Sequence, residues 1–151
     1  MMIQELIKKE NIVLKRHAKD WKEAVHISLE KLVEGGYCTD QYEQGVLKNT
    51  AEYGPYYVLT EEFALVHCND FASVNETQMA VTTLDEAIKF SEDGYDVRIL
   101  VALVAVDGDK HLDGIRAISN IFADEDKVQE IIDATEPEKV LQMFIESAEE
   151  E

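Results

Sequence analysis

Cysteines and long apolar segments are both scarce in this sequence, and their scarcity narrows the class of protein. Only two cysteines occur, Cys38 and Cys68, without CxxC spacing, so a disulfide framework or a structural zinc site is disfavoured and we expect two free thiols. No stretch reaches the roughly 20 apolar residues that cross a bilayer, and the opening residues lack the apolar run of a signal peptide. We therefore expect a cytoplasmic protein with no direct membrane insertion.

Basic residues are also few. The chain has 14 Lys and Arg against 32 Asp and Glu, which gives a formal net charge of -18. A field of that sign repels nucleic-acid phosphates and anionic lipid head groups, so a nucleic-acid partner is not expected. It can steer the chain toward a basic partner protein, although most acidic surfaces serve only solubility. Charge by itself therefore selects no function.

The length and composition predict one folded domain. The chain has 151 residues, of which 46% are hydrophobic and 30% are charged, values that are ordinary for a globular protein with a packed core. We expect a single domain over residues 1–151. Within it, residues 1–18 are predicted to form an N-terminal arm or a short helix, and residues 146–151 an acidic tail.

Hydrophobic spacing predicts strands in the middle of the chain and helices on either side of them. The run at 98–106 is almost entirely apolar, which is typical of a central strand covered by helices on both faces. The runs 56–59 and 63–66 lie too close together for a helical crossover, so the sheet should be mixed. The predicted fold class is an α/β single-domain sandwich with a mostly mixed β-sheet flanked by helices. The other predicted elements are a strand at 79–84 and helices at 21–33, 40–51, 110–122, 124–132 and from about 135 onward.

Two of the four histidines are candidates for chemistry. His67 follows the apolar strand 63–66 and opens into a polar turn, and open α/β sheets usually place their chemistry at such strand ends. His111 follows the long strand and a tight turn, and begins a helix whose amino-terminal N–H groups can lie near its imidazole. If the two strands are neighbours, both rings meet at one edge of the sheet. His17, in a charged stretch, is interpreted as exposed, and His26, in the first helix, as partly buried.

Spacing alone leaves other interpretations of this pair open. The two histidines could form a metal site with Asp70, Asp109 and Asp113, although catalytic zinc normally has three protein ligands at characteristic spacing. A hydrolase that uses Cys68 is less favoured, because neighbouring residues of an extended chain point to opposite faces. Both histidines could also be packing residues.

The same segments carry a resemblance to a known family. They are a first helix that begins W-KEAV and ends in a GGY turn, the stretch YEQGVLKNTAEYGPYYVL, a strand leading into VH at His67, the long strand RILVALVAV, and DGDKHLDGI at His111. In this order, from Trp21 to about Phe144, they resemble the mannitol, fructose and ascorbate group of enzyme IIA domains of the sugar phosphotransferase system. GPYYVL is most similar to the ascorbate-type branch. The resemblance implies the mannitol-type enzyme IIA fold.

The resemblance also implies a function. His67 would accept a phosphoryl group from the histidine-containing phosphocarrier protein and hand it to a cysteine of the cognate enzyme IIB, for ascorbate or a related sugar acid or pentitol. His111 and nearby backbone N–H groups would act as hydrogen-bond donors, and Lys110 as an auxiliary charge. Such a relay needs no metal and no organic cofactor. An exposed apolar patch near His67, including Phe63 or Phe71, would form the docking surface.

The residues beside His67 motivate an alternative function. The family usually has Pro directly before the active histidine, where this chain has Val66. The ascorbate-type branch usually has Ala-Arg-Pro after it, where this chain has Cys68, Asn69 and Asp70. These differences remove a positive charge and add a negative one at a site for a phosphoryl dianion. The alternative is a regulatory or interaction module of the same fold with weak or lost phosphotransfer.

Overall fold

A mixed β-sheet of five strands runs through the middle of the fold. The computed structural model describes residues 3–148, apart from the side chains of Asp113 and Ala117. Along the sheet the strand order is β1-β4-β5-β3-β2; β1 is parallel to β4 and β3 to β5, whereas β4 and β5, like β2 and β3, are antiparallel. The predicted mixed sheet is therefore confirmed. The strands are β1 (Ile7–Arg16), β2 (Val58–Thr60), β3 (Glu62–Val66), β4 (Gln78–Lys89) and β5 (Asp96–Val104).

Six α-helices in the described part of the chain cover the two faces of this sheet. From Ile99 to Val104, successive residues of β5 alternate between two apolar clusters, one shared with the helices of each face, so this part of β5 is buried on both sides as its apolar sequence predicts. No helix within residues 3–148 combines the length and the apolar character that crossing a bilayer requires. One face carries α2 (Trp21–Glu34) and α3 (Gln41–Tyr53), and the other carries α1 (Ile3–Leu6), α4 (Gly108–Phe122), α5 (Glu125–Asp133) and α6 (Pro137–Ala148).

The N-terminal segment differs from the expected arm or short helix. The short helix α1 is present, but it leads into the edge strand β1, where Ile7 and Ile12 are buried. The pairing of β1 with β4 shifts register between these two residues and again before Arg16, and Lys15 has a positive φ of 56°. These irregularities break the alternation of apolar and polar residues that identifies a strand in a sequence. Residues 7–16 were therefore not predicted as a strand.

Several element boundaries are also shifted. β2 begins at Val58 rather than at residue 56, and the two residues before it belong to a turn. β4 continues beyond its predicted end at residue 84 to Lys89. The sequence does not predict this extension, because its residues are exposed or half-buried and show no apolar pattern. Helix α6 extends through residues 146–148 of the expected acidic tail and buries Ser147. Residues 149–151 of that tail lie outside the described residues.

Candidate functional site

Parallel pairing of β3 and β5 brings the two candidate histidines to one edge of the sheet. Val66, the last residue of β3, pairs with Ala102 of β5, so both strands end on the same side. His67 follows β3 directly, and β5 leads through a short turn into α4, which carries His111 in its first turn. The centroids of the two imidazole rings are 4.9 Å apart, and the ring planes meet at 45°. The structure thus joins two residues that are distant in the chain.

A cavity of about 420 Å³ lies beside the two imidazoles. Tyr53, which is 70% exposed, and the half-buried Phe71 contribute aromatic rings to its wall. Phe63 does not, contrary to the expectation for the docking patch: it is buried and stacks on Phe122 with ring centroids 3.6 Å apart. Three residues lie between Phe63 and His67, which places their Cα atoms about 13 Å apart along an extended chain. The lining residues are Asn49, Tyr53, Tyr56, His67, Cys68, Asn69, Phe71 and His111.

The His67 ring is held in one orientation. Its Nδ1 lies 2.5 Å from the carbonyl oxygen of Leu65 and donates a hydrogen bond to it, which leaves the lone pair on Nε2. The rings of His67 and Tyr56 make a T-shaped contact with centroids 5.3 Å apart. Burial lowers the pKa of His67 below its ordinary value, and the bond to Leu65 opposes this shift only in part. The neutral imidazole with a free Nε2 is therefore the resting form.

The start of helix α4 places His111 beside the cavity. Asp107 caps the helix: its carboxylate accepts from the N–H of Lys110 at 2.8 Å, and its carbonyl oxygen accepts from the N–H of His111 at 3.0 Å. The helix therefore starts at Gly108, two residues before the start at residue 110 that the sequence predicted. Its close packing on β5 depends on Gly114, where a Cβ atom would lie 2.8 Å from Cδ1 of Leu103.

The two ring nitrogens of His111 have different surroundings. Nδ1 is buried and has no hydrogen-bond partner among the described residues. An unpaired buried N–H costs about 1–3 kcal/mol and an unpaired acceptor is tolerated more readily, so the favoured neutral tautomer carries its proton on Nε2. Burial, and then the neighbouring His67, lower the pKa of His111. His111 is therefore a neutral hydrogen-bond donor through Nε2–H.

Two tyrosines hold the peptide group that follows His67. The hydroxyl of Tyr56 donates to the carbonyl oxygen of His67, and the hydroxyl of Tyr42 accepts from the N–H of Cys68 at 2.9 Å. The Tyr42 hydroxyl also donates to the carbonyl oxygen of Leu103 in β5, at 2.9 Å. Neither tyrosine was predicted as a site residue. Both lie in the stretch YEQGVLKNTAEYGPYYVL, where their position within the family resemblance was the available signal.

The other two histidines lie outside this arrangement. His17 pairs with Asp85 at 3.0 Å and His26 pairs with Glu43 at 2.7 Å. Their side chains are 59% and 60% exposed, so the prediction that His26 is partly buried was wrong. The reason is that Ala24 and the residue after it, not His26, form the buried stripe of α2 at this level.

The alternative chemistries find little support at the site. Both cysteines are free and buried, and burial raises the pKa of the Cys68 thiol, which disfavours the thiolate that a cysteine hydrolase uses. Among the side chains that the structure describes, no group of three or more His, Cys, Asp or Glu residues could hold a metal ion. Asp109 is exposed, and the side chain of Asp113 lies outside the described set.

Comparison with known proteins identifies the family. Residues 5–147 match the family model described as "Phosphoenolpyruvate-dependent sugar phosphotransferase system, EIIA 2". The chain belongs to this family of phosphotransferase-system enzyme IIA components, as the sequence resemblance indicated.

Similar proteins come from both the ascorbate and the mannitol branch. An ascorbate-specific PTS system EIIA component of Escherichia coli (strain K12) is 31% identical over 141 residues, which cover 92% of this chain and 92% of that protein. A mannitol-specific cryptic phosphotransferase enzyme IIA component of the same strain is 27% identical over 135 residues, which cover 89% and 92%.

Two solved structures support the predicted fold. The solution structure of the mannitol-specific cryptic enzyme IIA from Escherichia coli matches with a TM-score of 0.87 at 25% identity, over 97% of this chain and 99% of that one. The complex of the mannitol enzyme IIA with phosphorylated enzyme IIB from Escherichia coli matches with a TM-score of 0.81 at 26% identity, over 92% and 98%. The mannitol-type enzyme IIA fold is therefore confirmed.

Proposed function

We propose that this chain accepts a phosphoryl group on Nε2 of His67 from the phosphohistidine of the histidine-containing phosphocarrier protein, and passes it to a cysteine of its cognate enzyme IIB. The observation that carries the proposal is the setting of the His67 ring. Its Nδ1 is tied to the Leu65 backbone, the ring lines an open cavity, and a second imidazole lies 4.9 Å away. Membership of the enzyme IIA family supports the same class of reaction.

The neutral His67 ring suits the transfer in both directions. Its Nε2 lone pair attacks the phosphorus of the donor, a new N–P bond forms, and the donor's N–P bond breaks with its electron pair returning to the donor imidazole. Throughout this step the Nδ1 proton stays in its bond to the Leu65 carbonyl oxygen. When the group moves on to a thiolate of enzyme IIB, His67 therefore leaves as a neutral imidazole, which makes it a good leaving group.

His111 is the proposed donor to the phosphoryl oxygens. Its Nε2–H can meet an oxygen of the group on His67 because the two rings are adjacent. The amino-terminal end of α4, where His111 lies, adds partial positive charge from its backbone N–H groups. Lys110, in the same turn, is half-buried and is retained as an auxiliary charge. The relay requires no metal and no organic cofactor, since both exchanging groups are protein side chains.

Exposed apolar side chains that line the cavity or lie close to His111 in the chain suit two successive protein partners. Tyr53 lines the cavity, and the exposed Val106 and Leu112 lie on either side of His111 in the chain. Donor and acceptor must reach the same nitrogen in turn, so we assign both to this patch. The complex of a similar enzyme IIA with phosphorylated enzyme IIB supports the second partner.

The proposed sugar is ascorbate or a related sugar acid or pentitol, and the proposed location is the cytoplasm. Identity of 31% to an ascorbate-specific component supports ascorbate, whereas 27% identity to a mannitol-specific component supports a polyol. The proposed phosphoryl transfer is the same for either sugar, because the relay involves protein partners only.

Labelling of the purified chain tests the proposal. Incubation with the phosphoenolpyruvate-driven donor system should add one acid-labile phosphoryl group, and addition of the cognate enzyme IIB should remove it. Intact-mass spectrometry at neutral pH, followed by acid treatment, measures both steps. A chain that stays unlabelled while the Escherichia coli ascorbate-specific component is labelled in parallel would rule the proposal out.

The pH dependence of acceptance should reflect the lowered pKa of His67. Protonation of Nε2 removes the nucleophilic lone pair, and burial lowers the pH at which this happens. The acceptance rate should therefore stay high as the pH falls through the ordinary histidine value of about 6.5, and drop only below it. Single-turnover rates between about pH 5 and 8 measure this. A rate already halved above that ordinary value would contradict it.

A second candidate is a regulatory or interaction module with weak or lost phosphotransfer. The observation in its favour is that the lining residues described around the cavity include neither lysine nor arginine. Binding of a transcription regulator or transporter by a His67→Ala protein, with undiminished affinity, would favour this candidate. Affinity that depends on intact His67 would count against it.

A further inference from the structure

The hydroxyl of Tyr42 lies where the pairing between β3 and β5 stops. The last pair of the ladder is Val66 with Ala102. The N–H of Leu65 donates away from β5, to the carbonyl oxygen of Tyr57, so the N–H groups of the even-numbered residues in this stretch face β5. If the parallel register continued, the N–H of Cys68 would therefore donate to the carbonyl oxygen of Leu103.

Tyr42 interrupts that bond. Its hydroxyl accepts from the N–H of Cys68 at 2.9 Å and donates to the carbonyl oxygen of Leu103 at 2.9 Å, which is nearer than the carbonyl oxygen of Cys68 at 3.2 Å. A direct N–H···O bond would hold this nitrogen and oxygen about 2.9–3.0 Å apart, whereas two bonds through one hydroxyl allow a wider separation. The ends of β3 and β5 are therefore linked through the tyrosine and not to each other.

The same peptide group is held on its other side. Its carbonyl oxygen, that of His67, accepts from the hydroxyl of Tyr56. Both polar atoms of the peptide between His67 and Cys68 are thus bound by tyrosine hydroxyls, one from α3 and one from the turn before β2. Because a peptide group is planar, two such bonds set its orientation and with it the backbone of His67.

We infer that Tyr42 is a positioning residue, whose hydroxyl keeps the two strand ends apart and thereby sets the place of His67 relative to His111. Its effect on rate rests on the proposed phosphoryl transfer. Without the hydroxyl, Cys68 N–H either bonds Leu103 directly or remains unpaired in the core, and each outcome moves the backbone that carries His67. A misplacement of the order of 1 Å can lower a rate about 100-fold.

Tyr42→Phe tests the inference, with Tyr57→Phe as the matched control. Tyr57 is also fully buried, and its hydroxyl lies 2.9 Å from Oγ1 of Thr50, away from the peptide after His67. We expect Tyr42→Phe to slow single-turnover acceptance about 100-fold, and Tyr57→Phe to keep a rate close to that of the unaltered chain. Tyr42→Phe transferring as fast as Tyr57→Phe would overturn the inference.

A second readout separates positioning from stability and from the proposed function. In NMR titrations the pKa values of both His67 and His111 should shift in Tyr42→Phe and stay unchanged in Tyr57→Phe, because only the former alters the spacing of the rings. These pKa shifts are expected even if the unaltered chain takes up no phosphoryl group, a result that would overturn the proposed function alone. Unchanged titrations in Tyr42→Phe would overturn the inference about Tyr42. If Tyr42→Phe does not fold, Tyr56→Phe is the test variant, because the hydroxyl of the half-buried Tyr56 binds the other polar atom of the same peptide group. This variant must then show the slower rate and the shifted titrations.

Discussion

Replacement of His67 by alanine is expected to reduce phosphoryl acceptance to background. Among the imidazole nitrogens that the structure describes beside the cavity, Nε2 of His67 is the one available for attack, since its Nδ1 is engaged with Leu65, and His111 carries its proton on Nε2 and has its Nδ1 buried. Loss of a nucleophile that forms the covalent intermediate removes the reaction path altogether. The measurement is uptake of the acid-labile phosphoryl group by intact-mass spectrometry.

The matched control is His26→Ala. It removes an imidazole of the same chemistry that is exposed on α2 and paired with Glu43, away from the cavity. This variant should be labelled like the unaltered chain. If His67→Ala still gained one phosphoryl group, the carrier nitrogen would have to be reassigned, and His111 would be the first residue to replace next.

Replacement of His111 by alanine is expected to slow phosphoryl acceptance by about 100- to 1000-fold without abolishing it. This is the usual loss when one preorganised donor to a developing anion is removed. His67 keeps its own bond to Leu65, so the nucleophile survives and the final extent of labelling should be unchanged. Rapid-quench kinetics, with the donor in excess, separate the rate from the extent.

Glutamine at position 111 provides the control for hydrogen bonding. Its amide can donate toward the same region, so His111→Gln should recover part of the rate that His111→Ala loses. Equal losses in the two variants would show that the ring supports the site by packing alone. An unchanged rate in His111→Ala would remove it from the mechanism.

The charge around the cavity bears on how strongly a phosphoryl group is held. Its described lining offers the amides of Asn49 and Asn69, the hydroxyl of Tyr53 and His111 as neutral donors, whereas the hydroxyl of Tyr56 already donates to the carbonyl oxygen of His67. Neutral donors stabilise a dianion less than bidentate guanidinium groups do. A group that is held moderately is also released readily, which agrees with a carrier that must pass its cargo on. The same lack of cation in the lining is what makes the regulatory candidate worth testing.

Much of the fold was predictable because its strongest signals are local. The apolar run that became β5 needed cover on both faces, and the two close runs around residues 56–66 could only pair antiparallel. β1 escaped prediction because its register shifts destroy the alternation that a strand shows in sequence. The prediction that His26 is partly buried was wrong because apolar neighbours in a helix do not show which way one polar residue faces.

For the site, the sequence by itself determined that His67 directly follows a buried strand and that His111 lies at the start of the helix after another, because hydrophobic runs and turn residues mark those ends locally. Only the tertiary structure decided that the two strands are parallel neighbours, which brings the rings to 4.9 Å. It also decided which nitrogen of each ring is bonded or buried, and that the hydroxyl of Tyr42 lies between the ends of β3 and β5. These features depend on strand order, register and burial, which arise from contacts between residues far apart in the chain and leave no periodic trace within any one segment.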